Sequence, residues 1–139
     1  MREILFKEKR IDNGEWVQGD LVHSVYKIND TCAGKYGSEV GMHQVDTNTI
    51  CQYTGLTDKN GKKIWENDIV VYDNSPYNVY CTPHTGNIAY RNGCLCFKYW
   101  LYGSINYMPF TADVFFGSKC EVIGNTIDNP ELLDNKTEF

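Results

Sequence analysis

The sequence predicts a mainly β protein assembled from antiparallel hairpins, and three observations carry that reading. Asn-Gly pairs stand at Asn13-Gly14, Asn60-Gly61 and Asn92-Gly93, each between runs of β-forming residues, and this dipeptide is the strongest short-range hairpin signal because both residues tolerate positive φ. Ile69-Val70-Val71-Tyr72 places four β-formers in a row, which suits a strand covered on both sides or at a barrel seam. The capped helix signal is short: at Asn129-Pro130-Glu131-Leu132-Leu133 an N-cap residue and a proline at the first helical position predict one short C-terminal helix.

Residues 3–11 and 15–22 are expected to pair around Asp12-Asn13-Gly14. Lys7, Lys9 and Arg10 interleave with Phe6 and Ile11, the pattern of an exposed edge strand guarded by basic residues. The stretch 29–38 is rich in turn formers and reads as a loop, Val40–Val45 as a short strand, and Asp46–Thr49 as a polar turn. Asp58-Lys59-Asn60-Gly61-Lys62 predicts a type I′ turn, and Glu66-Asn67-Asp68 a second sharp bend with Asn67 left-handed. Asp58, Asn60 and Gly61 also hint at a calcium loop. Leu56 stands where that loop needs an oxygen ligand, and helices do not flank it, so calcium is excluded.

Residues 73–78 read as a loop, 85–90 and 94–100 as a hairpin around Arg91-Asn92-Gly93, 104–109 as a further loop, Asp113–Phe116 as a strand or helical turn, and Cys120–Ile127 as the strand that closes the sheet. In the second arm of that hairpin, alternation puts Leu95, Phe97, Tyr99 and Leu101 on the core face. Cys94, Cys96, Lys98 and Trp100 fall on the other face.

Gln52-Tyr-Thr-Gly-Leu-x-Asp58-x-Asn60-Gly61-x-x-Ile64-aromatic-Glu66-x-Asp68-Ile69-Val70 resembles the core signature of the YopX family of phage and prophage proteins. Arg10–Gly19, Glu121-Val122-Ile123-Gly124-Asn125 and Asn129–Leu133 match in the same order, so the resemblance spans nearly the whole chain. The family usually has Val-Gly ahead of Gln52 and glycine in the Glu-x-Asp bend. Here Ile50-Cys51 and Asn67 occupy those positions, and asparagine replaces glycine at a left-handed position at modest cost. The resemblance implies a small phage-encoded β protein with a C-terminal SH3-like small barrel. It implies no activity. The expected organisation is a hairpin and extended region over 1–57, the SH3-like barrel over 58–128, and the short helix with an acidic tail over 129–139.

A chain of 139 residues that is 42% hydrophobic and 14% aromatic can bury a real core. The N-terminal residues lack the apolar core of a signal peptide and the chain has no apolar run of membrane-spanning length, so a cytoplasmic protein is expected. Six cysteines, Cys32, Cys51, Cys81, Cys94, Cys96 and Cys120, are then expected as reduced thiols. Net charge is −5, and residues 121–139 carry −4 of it: Glu121, Asp128, Glu131, Asp134 and Glu138 against Lys136 alone. That distribution lacks the basic footprint of a nucleic-acid binder.

Among chemical sites, Cys81, His84, Cys94 and Cys96 supply four zinc-type donors, but the Cys94-x-Cys96 spacing on a strand departs from the paired knuckles of a zinc ribbon. Scattered apolar cysteines are the plainer reading. His23, His43 and His84 stand in no nucleophilic signature, and Glu66 and Asp68 read as bend-capping groups. The expectation is therefore a protein without catalytic, cofactor or metal residues. Tyr77, Tyr80, Trp100, Tyr102 and Tyr107 concentrate in and around the C-terminal loops, and tyrosine is enriched in interfaces. Arg91 and Lys98 alone lie near them, too few cations for a single-stranded nucleic-acid platform. The expected function is a non-enzymatic protein-interaction module, a homo-oligomer or the partner of a host or phage protein. Nucleic-acid binding and Cys/His metal binding are the alternatives.

Overall fold

The computed structural model describes residues 3–28, 31–38, 41–73, 83–111 and 119–133, with only the backbone described between residues 22 and 42. Two antiparallel sheets make up the fold. One has the strand order β4-β3-β2-β1-β5-β6 and the other β10-β9-β8-β7-β11. The strands of the first are β1 (Phe6–Lys9), β2 (Trp16–Ile28), β3 (Thr31–Ser38), β4 (Gly41–Val45), β5 (Cys51–Thr57) and β6 (Lys63–Trp65). Those of the second are β7 (Asp68–Tyr72), β8 (His84–Arg91), β9 (Cys94–Leu101), β10 (Ser104–Pro109) and β11 (Cys120–Asn125). The chain divides into two compact units, residues 1–53 and 54–139. No α-helix occurs among the described residues, and none is long and apolar enough to cross a membrane.

In the first unit, the Asn13-Gly14 turn returns the chain so that Phe6 faces Gly19 and Lys9 faces Trp16. Gly14 alone is left-handed (φ 70°), and its N–H donates to Arg10 O at 2.9 Å. The loop is longer than a two-residue type I′ turn because Asn13 Oδ1 accepts from Glu15 N at 2.9 Å, a local bond that fixes a wider turn. β1 is not the expected edge strand. It lies between β2 and β5, with Lys7 opposite Cys51 and Tyr53 N–H donating to Leu5 O. The lysines guard no edge: Lys7 and Lys9 set their ammonium groups 4.8 and 5.4 Å from the Trp16 ring centroid, so their stems are half-buried and their charges rest on an aromatic face. The turn-rich stretch 31–38 is strand β3, because tertiary pairing with β2 and β4 overrides weak local propensity. Asp46 caps the polar 3-10 turn Thr47–Thr49 by accepting from Asn48 N.

Glu8, on β1, is completely buried, and neither carboxylate oxygen has a hydrogen-bond partner. Burial pushes its pKa up to about 7, since the charged form loses its hydration without compensation.

The core of the second unit is formed by Ile64, Val70, Ile88, Phe97, Phe110 and Cys120, with Leu56, Tyr72, Leu95, Tyr99, Met108 and Val122 packed against it. Asp58-Lys59-Asn60-Gly61-Lys62 is organised by a carboxylate and not by two left-handed residues. Only Gly61 has positive φ (78°). Asp58 Oδ1 accepts from Asn60 N and Lys62 N, both at 2.9 Å, and Oδ2 accepts from Val122 N at 3.0 Å. Lys59 N–H donates to Cys120 O at 3.0 Å and Lys59 Nζ pairs with Glu121 at 3.3 Å. The turn therefore covers the outer edge of β11 at the point where its register against β7 shifts between Val122 and Gly124. Asn67 is left-handed as expected (φ 71°), and its N–H donates to Ile88 O. Asp68 Oδ2 accepts from Trp65 N at 2.8 Å.

The C-terminal segment is a 3-10 turn, Pro130–Leu133, and not an α-helix. Four residues allow one turn, and Asn129 Oδ1 accepts from Asn125 N at 3.3 Å while Leu132 N donates to Asn129 O. The turn packs against Gly124, where an added Cβ would meet Asn129 Oδ1 at 2.7 Å and Leu132 Cδ1 at 2.9 Å. Ser104–Pro109, expected as a loop, is strand β10, paired with β9 from Ser104↔Leu101 to Pro109↔Cys96. The described strand pairs do not close the second sheet into a barrel, since β10 pairs with β9 alone. Residues 74–78 and Asp113–Phe116 lie outside the described residues.

Two outcomes follow from the buried carboxylates. Asp58→Ala leaves three backbone N–H donors without their acceptor, and urea denaturation is expected to show a loss of about 3 kcal/mol or more. Glu8 has a folded pKa above its unfolded value, so its stabilisation is fully present below pH 4.5 and is lost as pH rises to about 7. The expected fall in unfolding free energy across that window is about 3 kcal/mol. Glu8→Gln should flatten this part of the stability profile; an unchanged slope would show that another group controls it.

Candidate functional site

Strand alternation gives the β8–β9–β10 part of the second sheet two unlike faces. The inner face carries Ile88, Leu95, Phe97, Tyr99 and Met108 into the core, with Phe97 and Tyr99 stacked at 5.2 Å. The core assignment of Leu95, Phe97 and Tyr99 made from period-2 alternation holds. Gly86 lets β8 approach this layer closely, since a Cβ there would lie 2.2 Å from Lys98 O.

The outer face is set by the cross-strand register. Trp100 lies opposite Ile105, Lys98 opposite Tyr107 and Asn87, Cys96 opposite Pro109 and Ala89, and Cys94 opposite Arg91. Trp100, Ile105 and Tyr107 are 40%, 43% and 37% exposed, so apolar area lies where an antiparallel sheet ordinarily turns polar residues to water. The Arg91 guanidinium sits 3.9 Å from the Tyr107 ring centroid, a cation–π contact. None of the outward positions on β8, β9 and β10 is acidic. Neither Arg91 nor Lys98 has a carboxylate partner among the described residues.

The turn joining β9 to β10 is Tyr102-Gly103, both left-handed (φ 51° and 77°). Tyrosine is an unfavourable residue for that conformation, which is why the turn was not legible beforehand. It leaves Tyr102 76% exposed. Asn92-Gly93, with φ 53° and 84°, is the one Asn-Gly pair in which both residues are left-handed.

Of the aromatics singled out from the sequence, Trp100 and Tyr107 share the outer face and Tyr102 stands at its rim. Tyr77 and Tyr80 lie outside the described residues. Ile105 was missed because its segment read as a loop, and exposed Tyr90 because strand periodicity does not tell a hairpin tip from a core position.

Among the described residues, His84, Cys94 and Cys96 do not gather into one site. His84 begins β8 and its ring packs on Tyr99 at 5.1 Å. Cys96 is paired with Ala89, five residues further along β8, a separation of about 16 Å at strand rise. Cys81 lies outside the described residues. No group of three or more His, Cys, Asp or Glu side chains gathers among the described residues in a way that could hold a metal. Cys94 and Cys96 do approach each other, with their sulfurs 3.6 Å apart, since residues two apart on a strand share a face. The carboxylate of Asp68 is engaged with backbone N–H as a bend group. The side chain of His23 lies outside the described residues.

The fold has a counterpart among solved structures. The protein EF1440 from Enterococcus faecalis, known from a crystal structure, superposes with a TM-score of 0.54 at 25% identity, over 96% of this chain and 100% of that one. No curated protein matches the chain. The model of the family described as YopX protein matches residues 6–134, a range that includes the Asp58 turn, the Asn67 bend and the Gly124 turn contact, and the chain belongs to the YopX family.

Proposed function

We propose that this is a non-enzymatic accessory protein of a phage or prophage, acting in the host cytoplasm by protein contact, with a second copy of the same chain as its partner. The observation that carries the reading is the exposed Trp100–Ile105 pair on the last two strands of the second sheet. The two ends of that sheet differ. The Asp58 turn covers the edge of β11, whereas β10 pairs among the described residues with β9 alone. Antiparallel pairing of β10 with β10 across a two-fold axis would continue the sheet and bring both Trp100–Ile105 pairs together, the self-complementary arrangement of a symmetric dimer. The strand succession β7 to β11 also suits an SH3-like small barrel, a scaffold that binds through its strands and loops. The non-enzymatic reading is supported by polar groups that serve the fold: Asp58 and Asp68 are engaged with backbone N–H groups, and His84 is packed on Tyr99.

A second reading uses the same face for single-stranded nucleic acid. It is favoured by Arg91 over Tyr107, by Lys98 beside it and by the lack of acidic groups on the three strands. The overall charge of −5 opposes it.

Native mass spectrometry over a range of protein concentrations separates the readings. The expected result is a dimer for the wild-type chain and a monomer for Ile105→Lys. Tyr102→Asn, whose new residue accepts the left-handed turn, should keep the fold while shifting the equilibrium towards monomer by about tenfold, equivalent to 1.4 kcal/mol. A wild-type monomer at all concentrations would overturn the dimer. A fluorescent single strand bound in low salt and released steeply as salt rises would establish the nucleic-acid reading instead.

A further inference from the structure

Cys94 and Cys96 form the one close pair of sulfurs among the described residues, and their environments differ. Cys94 is exposed and Cys96 is buried. The two Sγ atoms are 3.6 Å apart, Cys94 Sγ lies 3.5 Å from Arg91 O, and Cys96 Sγ lies 3.8 Å from Cys94 O. We propose that this pair is a reversible redox site, at which a peroxide oxidises Cys94 and Cys96 closes on it to form an intrastrand disulfide. The inference is independent of what the outer face binds.

The chemistry balances in two steps. The Cys94 thiolate attacks one peroxide oxygen and breaks the O–O bond, giving Cys94 sulfenic acid and hydroxide, which takes up the proton that the Cys94 thiol released. The Cys96 sulfur then attacks the Cys94 sulfur and displaces the hydroxyl, which leaves as water with the Cys96 proton. Two thiols and one peroxide become one disulfide and two waters; sulfur is oxidised and oxygen reduced. Exposure assigns the order, because the incoming oxidant reaches Cys94 first and the neighbouring Cys96 is placed to resolve it.

Two residues of strand span about 6.6 Å, at the upper end of the Cα separation that a disulfide bridges. Closing the bond therefore requires β9 to bend locally. Cys94 pairs with Arg91 beside the Asn92-Gly93 turn, so the bend is needed at the end of the β8–β9 ladder, next to the hairpin tip. A bond closed against this resistance is readily reduced, the property of a switch and not of a structural staple. The other described cysteines are placed differently. Cys51 and Cys120 are buried, Cys51 donates to Thr49 O at 3.3 Å, and burial, with Asp58 nearby, pushes the Cys120 thiol up to about 11.

The sequence offers a direct readout, since trypsin cleaves after Arg91 and Lys98 and releases Asn92–Lys98 with both thiols. The full chain is treated with hydrogen peroxide, then alkylated in denaturant and digested. The expected result is loss of both alkylation sites from this peptide, which is two hydrogens lighter, with full recovery after dithiothreitol. The peptide containing Cys120 should remain alkylated. Cys96→Ser should accumulate Cys94 sulfenic acid, trapped by dimedone, and Cys94→Ser should leave Cys96 fully alkylated. A doubly alkylated Asn92–Lys98 peptide after peroxide treatment would overturn the proposal. So would sulfinic acid at Cys94 without the disulfide, or a disulfide joining Cys94 of two chains.

Discussion

The second unit depends on one carboxylate. Asp58 is buried, and its two oxygens accept three backbone N–H groups, from Asn60, Lys62 and Val122. Two of those bonds shape a local turn and the third spans 64 residues of sequence. Burial alone would raise its pKa; the bonds from Val122, Lys62 and Asn60 outweigh that cost and hold it below the ordinary carboxylate range. The group is therefore ionised and fully used at neutral pH. With it in place the turn covers the edge of β11, the bulge at Val122–Gly124 is satisfied, and the chain is set for the 3-10 turn that packs against Gly124. Remove it, and the hairpin and the last strand lose their common anchor.

Glu8 presents the opposite case. Its carboxylate is as buried as that of Asp58 and has no hydrogen-bond partner, so its pKa moves upwards. The contrast shows that the cost of burying a carboxylate prevails where donors are lacking and is outweighed where they are supplied.

The arrangement of the second sheet brings its chemistry to one place. β9 carries a core face and an outer face, and the neighbouring strands add Arg91, Ile105 and Tyr107 to the latter in fixed register. The proposed contact surface and the proposed dithiol site share that face because both are consequences of period-2 alternation along Cys94–Leu101. They remain separable: Trp100 and Ile105 lie towards the Tyr102-Gly103 turn, and the cysteines lie towards Asn92-Gly93.

Much of this was legible in the residues themselves, and the misses have identifiable causes. Alternation placed Leu95, Phe97 and Tyr99 in the core, and Asn67 was recognisable as left-handed because a bend between Glu66 and Asp68 demands it. The Asn-Gly pairs located three hairpins but not the geometry of every turn. At Asn60-Gly61 the Asp58 carboxylate imposes a wider loop, and at Asn13-Gly14 the Asn13 side chain does. β10 was missed because Tyr102 occupies a conformation that tyrosine disfavours, and β3 because its residues form a strand only with β2 and β4 beside them.

By itself, then, the sequence determined the mainly β class, the hairpin positions, the inner face of β9 and the family, since all of these follow from local conformational preference, period-2 alternation and a contiguous motif. Tertiary structure alone decided that β1 is an interior strand, that Glu8 is buried without donors, that Asp58 reaches Val122, and that Ile105 lies beside Trp100 on the outer face. Each of these depends on which distant segments are hydrogen-bonded side by side, and strand order and register are properties of the whole sheet that no local stretch encodes.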